Sequence, residues 1–565
     1  MILILLSWIY IFFTTINLGF ACDRILVLKN KNFVVTSILG LFSVTILASI
    51  WAVFGRINIE FHVFLLALNL LLLLKFNNLI IKIYKSFISE FKSLQKGLKA
   101  ILILISFLII AQCASIPFVI DNESYYIQTI KWINEYGFVK GLVNLHLFLG
   151  QVSGWHVTQS VFNFSFLYDN FNDLSGFCLL LGTIFSIQKL NDFFQNQNPN
   201  YLIVGLFPLF NVFLFQFISA PSPDIPVYVF SFILFFYFLE NFKTITPEIF
   251  NLIVIFVVFL FYIKNTTLTF LLIPVILFVI HFKSLSKKLL KPFLIAVLVV
   301  TLFFIKNLII CGSPVFPSKL FSSFITEYTV PNSIQTFYYD QIKFYGYFLK
   351  RQQYDAMSAF DLFLKWLTMP KLNGLFNKIG ILLILVLPFL IYKFQNKKSF
   401  WTLYFLMIFQ LFLLFVTSPQ YRFFMNFILF FGAFCLVCFV RNKKIINALL
   451  VLSLLPTMLA LFFPLNLNRF SNHKFMMEIS NFSSSNFISP YKNTKYDVAF
   501  TPIKLGNLTY NSPAVNNGFW ISGNGDLPCV NKAQIEYFKK HFHIIPQMRT
   551  NNLKDGFYAK NISNE

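Results

Sequence analysis

Charge is what this sequence has least of. Only 12% of its 565 residues are Asp, Glu, Lys or Arg, about half the share in a soluble domain, and 57% are hydrophobic, so a soluble globular fold is excluded. Alternating ten-residue strands are missing too, which excludes a transmembrane barrel. The apolar residues, 78 Phe among them, instead form blocks of about 16 to 22 residues, the length that crosses about 30 Å of hydrocarbon as a helix.

Acidic residues are half as common as basic ones, 22 against 45, for a net charge of +23. The Lys and Arg sit in short patches between apolar blocks, a mark of membrane topology rather than of a nucleic-acid partner. The seven cysteines show no metal spacing. Cys113, Cys178, Cys311, Cys435 and Cys438 lie in or beside apolar blocks, Cys22 in the first short loop and Cys529 alone in the tail, so packing is the expected role. The first block, Ile2 to Phe20, lacks a basic leader and a small-residue cleavage site and is expected to be a retained span. Gly150 and Gly154 form no phosphate-binding fingerprint.

The fold expected is an all-α polytopic membrane protein. Fourteen spans are predicted, near residues 2–20, 33–54, 60–76, 99–119, 171–189, 201–219, 226–241, 248–263, 266–282, 292–310, 379–394, 400–417, 423–440 and 445–463. Placing the first loop (Arg24, Lys29, Lys31) in the cytoplasm gathers 21 basic residues on that face, against five in the opposite short loops: Arg56, Lys131, Lys140, Lys264 and Arg422. That bias predicts the orientation. Asp121, Glu123, Asp224, Pro419–Arg422 and the tail after residue 464 then all face the outside of the cytoplasmic membrane.

The richest polar stretch follows the fourth span. Asp121, Asn122 and Glu123 precede Tyr125, Tyr126 and Gln128, and Gly141-Leu142-Val143-Asn144-Leu145-His146 follows. Two carboxylates at a membrane surface must meet water, a cation or a polar substrate, since burying them unpaired in hydrocarbon costs several kcal/mol. Tyr126, Ile130 and Ile133 form an apolar stripe and Gln128, Lys131 and Glu135 a polar one, which predicts a helix lying in the membrane interface. Residues 141–166 hold too many polar groups, His146, Gln151, His156 and Gln159 among them, for a lipid-facing span, and are expected to re-enter or pack on the outer mouth of the bundle.

Three regions are predicted: extra N-terminal helices (1–98), a transmembrane core with outer loops at 120–170 and 311–378 (99–463), and a small α+β domain (464–565). The last is expected to carry short β runs such as Tyr496 to Phe500 and an amphipathic helix near Gln534 to His541.

The acidic Asp-x-Glu motif after a core first span, the amphipathic helix behind it, a further acidic loop and a domain after the last span on the same side together resemble the GT-C class of integral membrane glycosyltransferases. The eleven spans from about residue 99 to 463 match that class's core in number. The Gly141–His146 run with Gly150 and Trp155, the Lys306-Asn307…Gly312-Ser313-Pro314…Pro317 stretch and Pro419-Gln420-Tyr421-Arg422-Phe423 also look like a bacterial family of large membrane proteins.

The resemblance implies a polyprenyl-phosphate-linked sugar donor, a glycan, lipid or protein acceptor, an inverting transfer and Asp121 as catalytic base, with Glu123 as helper. Transfer to a hydroxyl needs a carboxylate to take the proton and cations to meet the departing phosphate. Arg422 and Lys306 are the candidate cations. Asp224, His146, His156, Gln128, Asn144 and Trp155 complete the candidate substrate-binding set. Asp121 and Glu123 offer hard oxygen ligands suited to Mg²⁺ or Mn²⁺, though nothing in the sequence requires a metal. Plainer readings stand beside these: Asp224 as a helix cap, Arg422 as a headgroup anchor, Lys306 as a snorkelling lysine.

Two other functions fit a chain of this kind. An O-antigen-type polymerase or ligase relies on Arg and His in outer loops, and the acidic first core loop favours the transferase over it. A transporter or flippase places charge and helix breaks at span centres, which are nearly free of charge here.

Overall fold

The computed structural model describes residues 1–318, 326–463, 482–514 and 521–562. It is a helical bundle in which, among the described residues, eleven helices are long and apolar enough to cross a membrane, so the chain is a multi-pass membrane protein. The fourteen expected spans are not all confirmed as crossings: eleven helices pass by length and composition among the described residues, twelve with one bent pair. Asn265–Ile280 is broken from Phe282–Lys288 by a bend of 94°, and Pro247–Ile263 and Met425–Phe439 are short.

The helices start where local chemistry supplies a cap. Asn32 accepts from the Val35 amide at 3.1 Å and opens Phe33–Phe54, while Thr246 with Pro247 behind it opens Pro247–Ile263. The first two helices, Ile2–Leu26 and Phe33–Phe54, touch backbone to backbone. A Cβ on Gly19 would lie 1.9 Å from the Thr36 carbonyl, and one on Gly40 as close to that of Thr15. Small residues at a crossing, with Thr15 and Ser37 hydrogen-bonded at 2.9 Å beside them, are what joins helices in a solvent as apolar as they are. The third helix, Ile59–Ser93, is kinked at Phe76, and Asn69 on it reaches Asn17 of the first at 3.1 Å.

Contacts sort the loops into two ends. At one, Asn32 bonds Gln188, Gln188 bonds Glu90, and Lys29 pairs with Glu248 at 2.9 Å. At the other lie Met1, whose ammonium bonds the Asn486 carbonyl, and Tyr491, whose amide bonds that of Ala114. The basic patches therefore gather at one end, and the acidic loop and the tail at the other.

The acidic loop continues as a π-turn, Asn122–Tyr126, and a helix, Ile127–Tyr136. The polar face of this helix is not left open as that of an interfacial helix would be. Tyr126, Ile130 and Ile133 are buried as the stripe requires, but so are Gln128 and Trp132, because the tail covers the polar face. Gln128 donates to the carbonyls of Gly523 and Gly525, and Lys131 to those of Asn524 and Gly525. Residues 141–166 pack inside the bundle mouth, where the helix Gly154–Phe162 is hydrogen-bonded through Thr158 to Thr45 at 2.6 Å.

The predicted loop 311–378 carries the helices Asn332–Tyr345, Arg351–Asp355 and Ala359–Leu367, with 319–325 outside the described residues. Of the predicted C-terminal domain, 464–481 lies outside them as well. The remainder holds two antiparallel hairpins, β1 (Phe500–Leu505) with β2 (Leu508–Pro513) and β3 (Ile544–Met548) with β4 (Phe557–Asn561), and the helix Lys532–Phe542. The predicted strand at Tyr496–Phe500 begins only at Phe500. β4 docks on the outer loop through two glycines with positive φ: a Cβ on Gly141 would meet the Phe557 carbonyl at 2.1 Å, and one on Gly556 that of Lys140 at 1.9 Å.

Candidate functional site

Four charged side chains from four separate segments meet at the acidic end of the bundle. Asp121 precedes the π-turn, Asp224 opens the helix Asp224–Asn241, Lys264 links Pro247–Ile263 to Asn265–Ile280, and Arg422 sits in the single turn Tyr421–Phe423 ahead of Met425–Phe439. Arg422 Nη1 lies 2.8 Å from Asp121 Oδ2 and 3.9 Å from Asp224 Oδ2, and the Lys264 ammonium pairs with Asp224 Oδ1. The pairings run in the order Asp121, Arg422, Asp224, Lys264, two anions and two cations.

Local structure aims each group. The wider i→i+5 turn brings Tyr126 back over Asp121, with its hydroxyl 3.5 Å from Oδ2, and such turns recur at functional sites. Gln420 Oε1 accepts from Arg422 Nε at 3.0 Å, and Tyr228 holds the Arg422 carbonyl at 2.9 Å. The Phe423 ring lies 4.4 Å from Lys264 Nζ and 5.2 Å from the Arg422 guanidinium carbon. Burial disfavours the Arg422 charge, but Asp121 and Asp224 more than offset it and hold its pKa well above the ordinary value. Asp224 is 2% exposed while the Asp121 side chain is 19% exposed, so Asp121 is the carboxylate that an incoming molecule reaches. Burial, with Asp121 adding to it, pushes the Tyr125 phenol well up, so it stays a neutral donor.

His156 packs against the Tyr126 ring at 4.6 Å. Its Nδ1 accepts from the Ser153 amide, which puts the proton on Nε2, and that buried atom has no protein partner among the described residues. Burial, with Lys306 and Lys264 adding to it, pulls its pKa to about 3, so His156 offers a neutral N–H and not a charge. The Tyr338 hydroxyl is likewise buried and without a partner among the described residues.

The other candidates stand apart. Glu123 is fully buried and turned to the tail: Oε2 accepts from Thr494 Oγ1 at 2.6 Å and Oε1 from the Lys495 amide at 2.7 Å. Its backbone carbonyl takes the amides of Ser522 and Gly523. Gln128 is bound to the same part of the chain. Asn144 holds the carbonyl of Tyr328 at 2.8 Å, His146 caps a short turn by accepting from the Phe148 amide at 3.1 Å, and the Trp155 indole donates to Ser175 at 3.1 Å. Lys306 donates to the Val152 carbonyl, its ammonium 5.3 Å from the Tyr262 ring centre. Lys264, Tyr126 and Gln420 belong to the cluster but were not among the candidate site residues taken from the sequence. A lone lysine between two apolar blocks was the available signal for the first.

A cation shared by Asp121 and Glu123 does not fit this donor set, since one carboxylate is committed to Arg422 and the other to Thr494 and Lys495. No group of three or more His, Cys, Asp or Glu side chains among the described residues is placed to hold a metal. The cations that the cluster itself presents are Arg422 and Lys264.

A family model described as Domain of unknown function (DUF8201) matches residues 1–429, a range that contains all four members of the charged cluster. No curated protein matches the chain, and no solved structure does.

Proposed function

The chain belongs to the family described as Domain of unknown function (DUF8201), and from the chemistry of its charged cluster we propose that it is an integral membrane glycosyltransferase. It moves a sugar from a polyprenyl-phosphate donor to a glycan, lipid or protein hydroxyl on the extracytoplasmic side of a bacterial inner membrane. The observation that carries this reading is Arg422 held between an accessible carboxylate and a buried one.

In the proposed reaction the acceptor oxygen attacks the anomeric carbon, the bond from that carbon to the phosphate oxygen breaks, and the electron pair leaves with the phosphate. Asp121 takes the hydroxyl proton. Arg422 and Lys264 meet the charge that develops on the phosphate. A phosphate entering beside Arg422 gives the guanidinium a third anion besides Asp121 and Asp224 and loosens its hold on Asp121, which frees the base when the donor is present.

Asp121→Asn is expected to lower transfer about 10²–10⁴-fold, the range for a general base, with membrane insertion and protein level unchanged. The readout is the polyprenyl-linked sugars and surface glycans of cells carrying the variant, compared with parent and deletion strains. Parental glycans in the variant would remove the assignment.

A further inference from the structure

Away from the charged cluster, a cavity of about 820 Å³ opens where the helices Phe33–Phe54 and Ile59–Ser93 turn, against the end of Ile127–Tyr136 and the β3–β4 connection. Its size is within the usual range for a ligand site. Its walls change character with depth. Leu47, Ile50 and Phe54 line it along one helix and Phe64 along the next; Leu47 to Phe54 is about 10 Å of helix at 1.5 Å per residue. Phe54 is 77% exposed, as befits a residue facing acyl chains. Above this apolar wall stand Arg56, Glu60, Glu135 and Lys554.

These four charges sum to zero. Arg56 and Glu60 are already paired at 2.6 Å, which leaves the Lys554 ammonium and the Glu135 carboxylate on the rim without each other. A purely anionic headgroup would meet one cation outside the Arg56–Glu60 pair, with the Glu135 carboxylate beside that pair repelling it. A headgroup carrying a phosphate and a primary ammonium matches both.

We propose that this cavity is a binding site for a zwitterionic aminophospholipid, its acyl chains along Ile50, Phe54 and Phe64, its phosphate at Lys554, and its ammonium at Glu135. The lipid joins the tail to the membrane through Lys554, and it does so whether or not the cluster at Asp121 transfers sugar.

The test is native mass spectrometry of the full chain in detergent with equimolar phosphatidylethanolamine and phosphatidylglycerol. Retained ethanolamine lipid is expected to exceed glycerol lipid about tenfold, the effect of one hydrogen bond to a charged group. Glu135→Gln should bring the ratio to near one, and Lys554→Gln should lower retention of both. Both side chains are exposed, so the variants fold. Soluble phosphoethanolamine at the same concentration should leave the adducts unchanged, because it lacks the chains. Equal retention of the two lipids, a preference that survives both substitutions, or displacement by the soluble headgroup would overturn the proposal.

Discussion

Glu123→Ala removes a buried carboxylate that accepts from Thr494 Oγ1 at 2.6 Å and from the Lys495 amide at 2.7 Å. Both donors are partly exposed, so water replaces some of what is lost and each orphaned donor costs about 1 kcal/mol, the lower end for an unsatisfied polar group. The sum, about 2 kcal/mol, corresponds to roughly 30-fold in the equilibrium by which the tail stays on the acidic loop. Hydrogen exchange of the purified chain reads this directly: amides at 494–496 and 522–523 should exchange about 30-fold faster, and transfer should fall only partly. Burial raises the pKa of Glu123 from 4.5, and its bonds to Thr494 and Lys495 pull it back part of the way. The docked tail therefore holds the proton more tightly than the free one. This contribution to docking is complete below pH 4.5 and is lost as pH climbs through the raised value. The Ala variant should lack that dependence. Unchanged protection together with loss of transfer as deep as that of Asp121→Asn would refute the reasoning and return Glu123 to the chemistry.

Arg422→Lys keeps a charge but loses the planar guanidinium that reaches two carboxylates and, on the proposed reaction, the donor's phosphate. Transfer should fall at least tenfold, about 1.4 kcal/mol, and a lysine variant with parental rates would show that Arg422 only anchors the loop. Lys264→Met leaves Asp224 buried with its nearest cation 3.9 Å away and should destabilise the fold by about 3–5 kcal/mol. Adding Asp224→Asn should recover much of that loss in thermal melts, and strictly additive losses would mean that the pair is not coupled. His156, held neutral down to about pH 3, makes the folded state resist a proton that the unfolded chain accepts. Stability should therefore drop as pH falls below 6.5, by about 1.4 kcal/mol per unit, and His156→Gln should flatten that slope. Equal slopes in melts at pH 7 and 5 would contradict it.

Asp121, Asp224 and Arg422 were legible because an ionisable residue at the end of an apolar block in a charge-poor chain has few places to go. Lys264 was not, because a single lysine in a short loop looks like any topology signal until the fold sets it against Asp224. Glu123 stands apart from the cluster for a reason the sequence does contain. Residues two apart on a helical turn point about 200° from each other and do not share a face, so Asp-x-Glu could not aim both carboxylates at one substrate. What the sequence could not show is what waits on the far side. Thr494, Ser522 and Gly523 lie some 370 to 400 positions later, and no local pattern in the tail marks it as the cover of this loop. The same cover explains why Gln128 and Trp132 are buried on a helix whose periodicity suggested a membrane surface.

Charge counting gives the cluster a further property. At rest, Asp121 and Asp224 balance Arg422 and Lys264, which is how four ionised groups persist at the mouth of an apolar bundle at small cost. On the proposed reaction a lipid-phosphate sugar adds one negative charge, and breaking its bond to the sugar adds a second as the phosphate departs. A proton arriving on Asp121 in the same step removes one negative charge from the cluster as the phosphate gains one, so the site never has to carry the full excess. With Asp121→Asn the resting cluster is net positive, and it should bind the anionic donor more tightly while transferring from it far more slowly. Tighter donor binding alongside lost turnover is the signature of a base, whereas weaker donor binding in Asp121→Asn would place that carboxylate in donor recognition instead.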